Sequence, residues 1–80
     1  MKILIVDDER QLTEALQVIL KQNKYSVDCC YNGQDCLDLA SSGIYDLIIL
    51  DVMMPVMDGF TTLKYLRQRK IEKFKFLKIF

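Results

Sequence analysis

The sequence predicts an α/β fold in which helices cover both faces of a doubly wound parallel sheet. Short runs of apolar and β-branched residues alternate with segments whose apolar residues recur at helical spacing, as expected for parallel strands joined by right-handed crossovers. One run, residues 47–50, is apolar at every position and precedes a turn containing Pro55 and Gly59. Such a run is typical of a strand buried on both faces. The 80 residues are enough for one small domain.

The first strand and the first helix are predicted at the start of the chain. Residues 2–6 are apolar after the first position and favour a strand that ends at Asp7. Either Asp7 or Asp8 is expected to cap the next helix, with Gln11 completing a capping box, and the helix is expected to end at Asn23. Four apolar residues at helical spacing form its predicted buried face: Leu12, Leu16, Ile19 and Leu20.

A second strand and a second, shorter helix follow. In a strand over residues 25–31, successive side chains would point to opposite faces of the sheet, and one of them is an Asp. This pattern is typical of a half-exposed edge strand. Asn32 and Gly33 predict a turn, and Gly43 is expected to close the helix after it as a C-terminal glycine. The helix is predicted from three apolar positions: Cys36, Leu37 and Ala40.

Residues 45–50 predict the third strand, and a third helix is expected after the turn, ending near Arg69. Its predicted apolar face comprises Phe60, Leu63 and Leu66. Residues 71–80 differ from the rest, because lysines alternate there with aromatic and aliphatic residues. They could form a fourth strand, and its lysines would be tolerated at an exposed sheet edge.

Composition narrows the class of protein. The hydrophobic fraction is 51%, the charged fraction is 28% and the formal net charge is zero. These values predict a globular chain with no overall attraction to nucleic acid or to an anionic membrane. We expect a cytoplasmic protein, because Asp7 and Asp8 interrupt the first apolar run too early for a signal peptide. The three cysteines, Cys29, Cys30 and Cys36, are expected to be small, semi-buried hydrophobic residues in a reducing compartment.

Three carboxylates are predicted to meet at one edge of the sheet. Asp7 and Asp8 follow the first strand and Asp51 follows the third, and these two strands are neighbours in a doubly wound sheet. Carboxylates this close repel one another unless a cation lies between them, and Mg²⁺ with its preference for oxygen ligands is the natural cation. An Asp beside a phosphate on Mg²⁺ can act as a nucleophile in phosphoryl transfer. Taken singly, Asp8 could be an N-cap and Asp51 a solvated strand end.

The motifs together resemble a known family. Two segments carry the resemblance: Val6-Asp7-Asp8-Glu9 and Leu50-Asp51-Val52-Met53-Met54-Pro55-Val56-Met57-Asp58-Gly59. These segments and the spacing between them are similar to the receiver domain of bacterial two-component response regulators. The resemblance implies a flavodoxin-like fold with strand order 2-1-3-4-5, here truncated to β1-α1-β2-α2-β3-α3 and a possible β4. We expect residues 1–70 to form an incomplete receiver domain and residues 71–80 an atypical tail.

The resemblance also implies roles for individual residues. Asp51 would be the phosphoacceptor for a histidine kinase, in a signalling module that is not an enzyme. Asp8 and Asp51 would bind Mg²⁺ by their side chains, Asp7 through water and Met53 through its backbone carbonyl. The chain has no histidine, so the phosphohistidine must belong to another protein. Residues 9–21 and the loops around the site would dock that kinase, and the parent would be a transcriptional regulator that binds DNA through another segment.

Departures from the family leave alternatives open. Receiver domains carry a Ser or Thr at the end of strand four and a Lys at the end of strand five. Residues 78–80, where strand four would end, contain no Ser or Thr. The chain could therefore be a fragment that does no signalling and acts at most as a protein-interaction module. An exposed sheet edge could also mediate dimerisation. A phosphatase of the haloacid dehalogenase type is disfavoured, because it needs a second Asp where Met53 stands.

Overall fold

The computed structural model describes residues 1–51, 59–69 and 74–78, the last of these and Gly59 by their backbone alone. Strands and helices alternate along the whole described chain. The elements are β1 (Lys2–Val6), α1 (Arg10–Gln22), β2 (Ser26–Cys30), α2 (Gly33–Ala40), β3 (Leu47–Asp51), α3 (Gly59–Gln68) and β4 (Phe74–Lys78).

The four strands form one parallel sheet in the order β2-β1-β3-β4. Val6, the last residue of β1, pairs with Cys30 on one side and with Leu50 on the other. The three strands therefore end together at the carboxyl edge of the sheet. The fold class predicted from the sequence is confirmed, including the neighbouring positions of β1 and β3 and the edge position of β2. Residues 74–78 do form a fourth strand, beside β3.

Side chains alternate across the sheet and build two apolar clusters. The larger cluster lies between the sheet and helices α2 and α3. It combines alternate residues of β1 and β3 with residues of β2, both helices and the segment before β3: Leu4, Val6, Cys30, Cys36, Leu37, Ala40, Tyr45, Ile48, Leu50 and Leu66. Arg69, the residue after α3, connects this helix to α2 and its C-cap. Its guanidinium donates hydrogen bonds to the Leu37 carbonyl at 3.3 Å and to Ser41 Oγ at 2.9 Å.

The opposite face of the sheet carries the smaller cluster of Ile3, Ile5 and Val27. Among the described residues, α1 packs on this face, mainly against β2 and β1. Leu47 and Ile49 of β3 point to the same side and are only partly buried there. The sheet is thus covered more completely on the face of α2 and α3 than on the face of α1.

The predicted N-cap of α1 is wrong. The helix begins at Arg10, and Glu9 occupies the cap position without a side-chain capping hydrogen bond. Asp7 instead accepts a hydrogen bond from the Glu9 backbone N–H at 2.9 Å, which makes a tight turn before the helix. Asp8 is exposed and its side chain does not cap the helix. The predicted end of the helix at Asn23 is confirmed, because Asn23 is the C-cap residue.

The predicted helix faces need correction at several positions. Ile19 is 53% exposed and Phe60 is 64% exposed, so neither belongs to the core. Thr13 and Thr62 are fully buried instead. Thr13 can be buried because its hydroxyl donates to the Arg10 carbonyl at 2.9 Å, which satisfies its polar group within the helix.

Helix α2 has a defined cap at each end. Asn32 is the N-cap, and its side-chain oxygen accepts from the Asp35 backbone N–H at 2.8 Å. The helix ends at Ala40 with Ser41 as the C-cap, two residues earlier than the predicted closing glycine. Gly43 has a φ of +75° and donates its N–H to the Ala40 carbonyl, so it serves the turn after the helix. No helix in the described part of the chain is long and apolar enough to cross a membrane.

A polar cluster joins β1 and β2 to the segment before β3. The Tyr45 hydroxyl donates to Asp28 Oδ2 at 2.6 Å, and Lys2 Nζ lies 3.5 Å from the same oxygen. The hydrogen bond from Tyr45 is the main reason why the pKa of Asp28 is lowered, and Lys2 lowers this pKa further. Burial, together with the hydrogen bond to Asp28, raises the pKa of Tyr45. The Asp28 carboxylate is therefore the ionised partner of a neutral phenol at neutral pH.

We expect Tyr45→Phe to lower the free energy of unfolding by about 1 kcal/mol at neutral pH, because it removes a hydrogen bond to a charged but partly solvated group. Asp28 has a lowered pKa in the folded state, so its ionisation stabilises the fold above about pH 4, the pKa of an unfolded Asp. That contribution is lost as the pH falls through the lowered pKa, and the effect of Tyr45→Phe should shrink with it. Urea denaturation across this pH range measures both changes.

Tyr25→Phe is the matched control, because Tyr25 is 37% exposed and makes no side-chain hydrogen bond among the described residues. Its free energy of unfolding should stay within about 0.5 kcal/mol of the unmutated chain at every pH. An effect of Tyr45→Phe that is independent of pH would contradict the coupling to Asp28.

Candidate functional site

Asp7, Asp8 and Asp51 form an acidic cluster at the carboxyl edge of the sheet. One carboxylate oxygen of each residue lies within 4.8 Å of those of the other two. Asp7 and Asp51 are buried, with 0% and 1% of their surface exposed, whereas Asp8 is exposed. This is the only group of three or more candidate metal-binding side chains among the described residues. The predicted convergence of the three acids is what the structure shows.

The sheet itself positions two members of the cluster. Asp51 is the last residue of β3, and Asp7 directly follows β1, whose last residues pair with β3. The Asp7 backbone N–H donates to the Cys30 carbonyl at 3.2 Å, which extends the strand pairing to Asp7 itself. Its side chain is held by the hydrogen bond from the Glu9 N–H. These contacts hold Asp7 as part of the rigid sheet edge, and Asp8 follows at the start of the turn.

The structure decides between the alternatives that the sequence left open for these acids. Asp51 is almost completely buried, so it is not a solvated strand end. Asp8 is not the N-cap of α1, because Glu9 holds that position. Met53, which the resemblance assigned to the metal site, and Pro55, in the turn after the third strand, lie outside the described residues.

The donor set suits a hard divalent cation. Three carboxylate oxygens within 4.8 Å of one another provide oxygen ligands only, and a cation among them would relieve the repulsion between their charges. Mg²⁺ is commonly bound by one or two carboxylates with water and phosphate oxygens completing its six ligands. One exposed carboxylate beside two buried ones leaves such a cation open to solvent and to an incoming phosphate. The residues that are present therefore fit Mg²⁺.

Two further residues at this edge of the sheet were not predicted from the sequence. Arg10, the first residue of α1, places its guanidinium carbon 3.9 Å from the ring centroid of Tyr31, the residue after β2. This distance is typical of a cation–π contact. The available signal was an Arg two residues after an Asp pair and an aromatic residue at the end of the neighbouring strand. Neither position forms a recognisable motif, so only the fold could bring them together.

The three cysteines form no part of the acidic cluster. All are free thiols, and Cys30 and Cys36 are buried. A hydrogen bond with Cys36, together with burial, raises the pKa of Cys30, and burial raises the pKa of Cys29. Thiols with raised pKa are poor nucleophiles and poor metal ligands at neutral pH. Cys30 and Cys36 are buried and Cys29 is partly buried, which agrees with their predicted role as small, semi-buried hydrophobic groups.

Comparison with known proteins agrees with the geometry. The family model for the response regulator receiver domain matches residues 3–78. The chain is 40% identical over 72 residues to the transcriptional regulatory protein DltR of Streptococcus agalactiae, covering 90% of the chain and 32% of DltR. It is 46% identical over 69 residues to the response regulator ArlR of Staphylococcus aureus, covering 86% of the chain and 32% of ArlR. The chain thus spans about a third of the length of these relatives.

Solved structures give the same result. The receiver domain of the Francisella response regulator 1452 superposes with a TM-score of 0.89 at 29% identity, over 96% of this chain and 64% of that one. The response regulator TrrA of Thermotoga maritima, solved in complex with Mg²⁺ and BeF, has a TM-score of 0.87 at 36% identity, over 99% of this chain and 70% of that one. These matches and the family model show that the chain belongs to the response regulator receiver domain family.

Proposed function

We propose that this chain is a phosphoacceptor module that takes a phosphoryl group from a histidine kinase onto Asp51. The observation that carries this proposal is the buried Asp51 carboxylate at the end of β3, within 4.8 Å of the oxygens of Asp7 and Asp8. Asp51 ends a strand of the sheet, and the neighbouring acids lie close enough to share a cation with it. The chain would thus act as a signalling module rather than as an enzyme that turns over a substrate.

In this proposal the acids of the cluster have distinct tasks. Asp8 and Asp51 would hold Mg²⁺ by their side chains, Asp7 would hold it through water, and the backbone carbonyl of Met53 would complete the protein ligands. When bound, the ion would offset carboxylate charge and bind the phosphoryl oxygens of the donor. Asp51 would form a bond to phosphorus as the bond to the donor's imidazole nitrogen breaks. With a proton on the other ring nitrogen of the donor, this leaves an acyl phosphate on Asp51 and a neutral imidazole on the donor.

The relatives support the wider context of the proposal. TrrA, 36% identical to this chain, was solved with Mg²⁺ and BeF, and DltR is named a transcriptional regulatory protein. We infer that the parent of this chain regulates transcription in the cytoplasm and binds DNA through a segment other than this one. Residues 9–21 would dock the kinase, and several side chains of α1 are exposed to solvent. The division into a receiver part, 1–70, and a tail, 71–80, remains a prediction.

A module that binds partners without being phosphorylated is the second candidate. It is favoured by the partly buried Leu47 and Ile49, which leave part of the sheet face beside α1 open among the described residues. In addition, β4 is the outermost strand of the described sheet, with a neighbour on one side only. Dimerisation through this sheet edge stays a prediction, and sedimentation velocity over a range of protein concentrations measures it.

The proposed phosphorylation is tested by incubating the chain with Mg²⁺ and acetyl phosphate and measuring its intact mass. We expect the mass of one phosphoryl group to be added to the unmutated chain and none to Asp51→Asn, because the amide cannot form an acyl phosphate. Asp38→Asn is the matched control, since Asp38 is an exposed aspartate on α2 outside the cluster, and it should be modified like the unmutated chain. A chain that binds Mg²⁺ and gains no phosphoryl group would support the interaction module instead.

The proposed metal site is tested by titrating Mg²⁺ and following the affinity by calorimetry. Asp7→Asn is expected to weaken binding by about 10- to 100-fold, the usual range for a group that acts through the outer ligand shell. Asp8→Asn should weaken it at least as strongly, because its carboxylate would bind the ion directly. Asp38→Asn should leave the affinity unchanged. Equal affinities in all four proteins would show that the cluster does not bind this ion.

A further inference from the structure

A cavity of about 340 Å³ opens at the outer edge of the sheet, between the edge strand β2 and helix α2. Its lining comes from the carboxyl end of β2, the residue after it and the exposed side of α2: Cys29, Cys30, Tyr31, Asp35, Asp38 and Leu39. The volume lies at the lower end of the range of about 300–1,000 Å³ for ligand pockets. No lining residue belongs to the acidic cluster, so the cavity is a separate feature of the surface.

The wall formed by α2 carries two carboxylates that have no counter-ion. Asp35 and Asp38 are exposed and form no ion pair with a described residue. One oxygen of each accepts a hydrogen bond from a neutral amide: Asn32 donates to Asp35 at 3.1 Å, and Gln34 donates to Asp38 at 3.3 Å. An amide leaves the charge of a carboxylate in place, and the second oxygen of each can still accept from a donor outside the chain.

The rest of the lining is apolar or aromatic. Leu39 exposes 38% of its surface although it is a large apolar residue. Tyr31 is half-buried, and the guanidinium carbon of Arg10 lies 3.9 Å from its ring centroid. This contact fixes the ring as one wall of the cavity and shows that it can pack against a guanidinium. The cavity thus combines flat apolar surface with two charged hydrogen-bond acceptors.

Negative charge exceeds positive charge around the cavity. The two carboxylates of α2 line it, and Arg10 contributes one positive charge against the Tyr31 ring. Of the other charged side chains that act on the Cys29 thiol, Lys21 is positive, whereas Glu14 and Asp28 are negative. The ligand that such a field favours is a cation.

We propose that the cavity between β2 and α2 is a docking site for an arginine side chain of a partner protein. A guanidinium presents N–H donors at its edge, which suit Asp35 and Asp38, and its flat faces pack on aromatic and apolar groups such as Tyr31 and Leu39. A lysine would offer a compact, strongly hydrated charge and no flat face.

The exposed rim favours a protein side chain over a small free cation. Asp35, Asp38 and Leu39 all remain exposed, so a small cation between them would stay largely in contact with water. An arginine that projects from a protein surface gains further contacts around the rim, which exclude water from its charged contacts as they do around anchor residues in interfaces. The inference does not rest on the phosphorylation of Asp51, because the cavity and the acidic cluster share no residue.

The test follows the backbone amide NMR signals of the full chain while the peptide acetyl-Gly-Arg-Gly-amide is added. We expect saturable shifts of the signals of Tyr31, Asp35 and Leu39. The same peptide with citrulline in place of arginine has the same shape without the charge. It should bind about three- to tenfold more weakly, because a neutral donor makes a weaker hydrogen bond to a carboxylate than a charged one. Equal affinities of the two peptides, or no saturable shift with the arginine peptide, would overturn the proposal.

Variants of the two carboxylates locate the contact. Asp35→Asn and Asp38→Asn should each weaken binding of the arginine peptide about two- to fivefold, the effect of one exposed ion pair. Asp38→Asn guards against a change in the helix itself, because Asp35 also accepts from Asn32, the N-cap of α2. The matched control is Asp46→Asn, which removes an exposed carboxylate before β3 and keeps an oxygen for the Lys2 backbone N–H. It should leave the affinity unchanged, and an unchanged affinity in both α2 variants would contradict the docking site.

Methylguanidine separates a protein side chain from a small-molecule ligand. It carries the same charged group as the arginine peptide without the peptide backbone or the aliphatic stem. We expect the peptide to bind more tightly than methylguanidine, because its stem and backbone add contacts with the walls and the rim. If methylguanidine shifts the signals of the lining residues and the peptide does not, the cavity is a pocket for small cations and docking of a partner protein is overturned.

Discussion

Two buried carboxylates at one edge of the sheet are the feature on which the functional geometry depends. Asp7 and Asp51 meet because β1 and β3 are adjacent, parallel and in register up to Val6 and Leu50. Their mutual repulsion opposes this arrangement, and the fully buried apolar residues of the two strands hold it in place. A cation among the three acids would remove the repulsion, so the fold and the proposed ligand would stabilise each other.

The two faces of the sheet contribute unequally to this arrangement. The cluster under α2 and α3 contains both inward residues of β3, Ile48 and Leu50, fully buried. On the face of α1, Leu47 and Ile49 are only partly buried, because α1 lies mainly over β2 and β1. The strand that ends in Asp51 is therefore anchored chiefly from one side. The polar cluster at the other end of the sheet, with Tyr45 donating to Asp28, adds a second fixed point just before β3.

The first residue of α1, Arg10, makes an aromatic contact. Asp7, Asp8 and Glu9 follow one another, and the next residue, Arg10, is held on Tyr31 rather than on one of these acids.

The sequence by itself determined the order of the strands and helices, the edge position of β2 and the convergence of Asp7, Asp8 and Asp51. Local apolar patterns and the rules for parallel sheets fix these features, since they depend on short segments and on chain direction. Tertiary structure decided which parts of each pattern are buried. Ile19 and Phe60 are exposed although they continue an apolar stripe, and Asp51 is buried although its side chain is polar. Burial depends on which neighbour covers a residue, and the contact of Arg10 with Tyr31 likewise exists only because β1 and β2 end side by side.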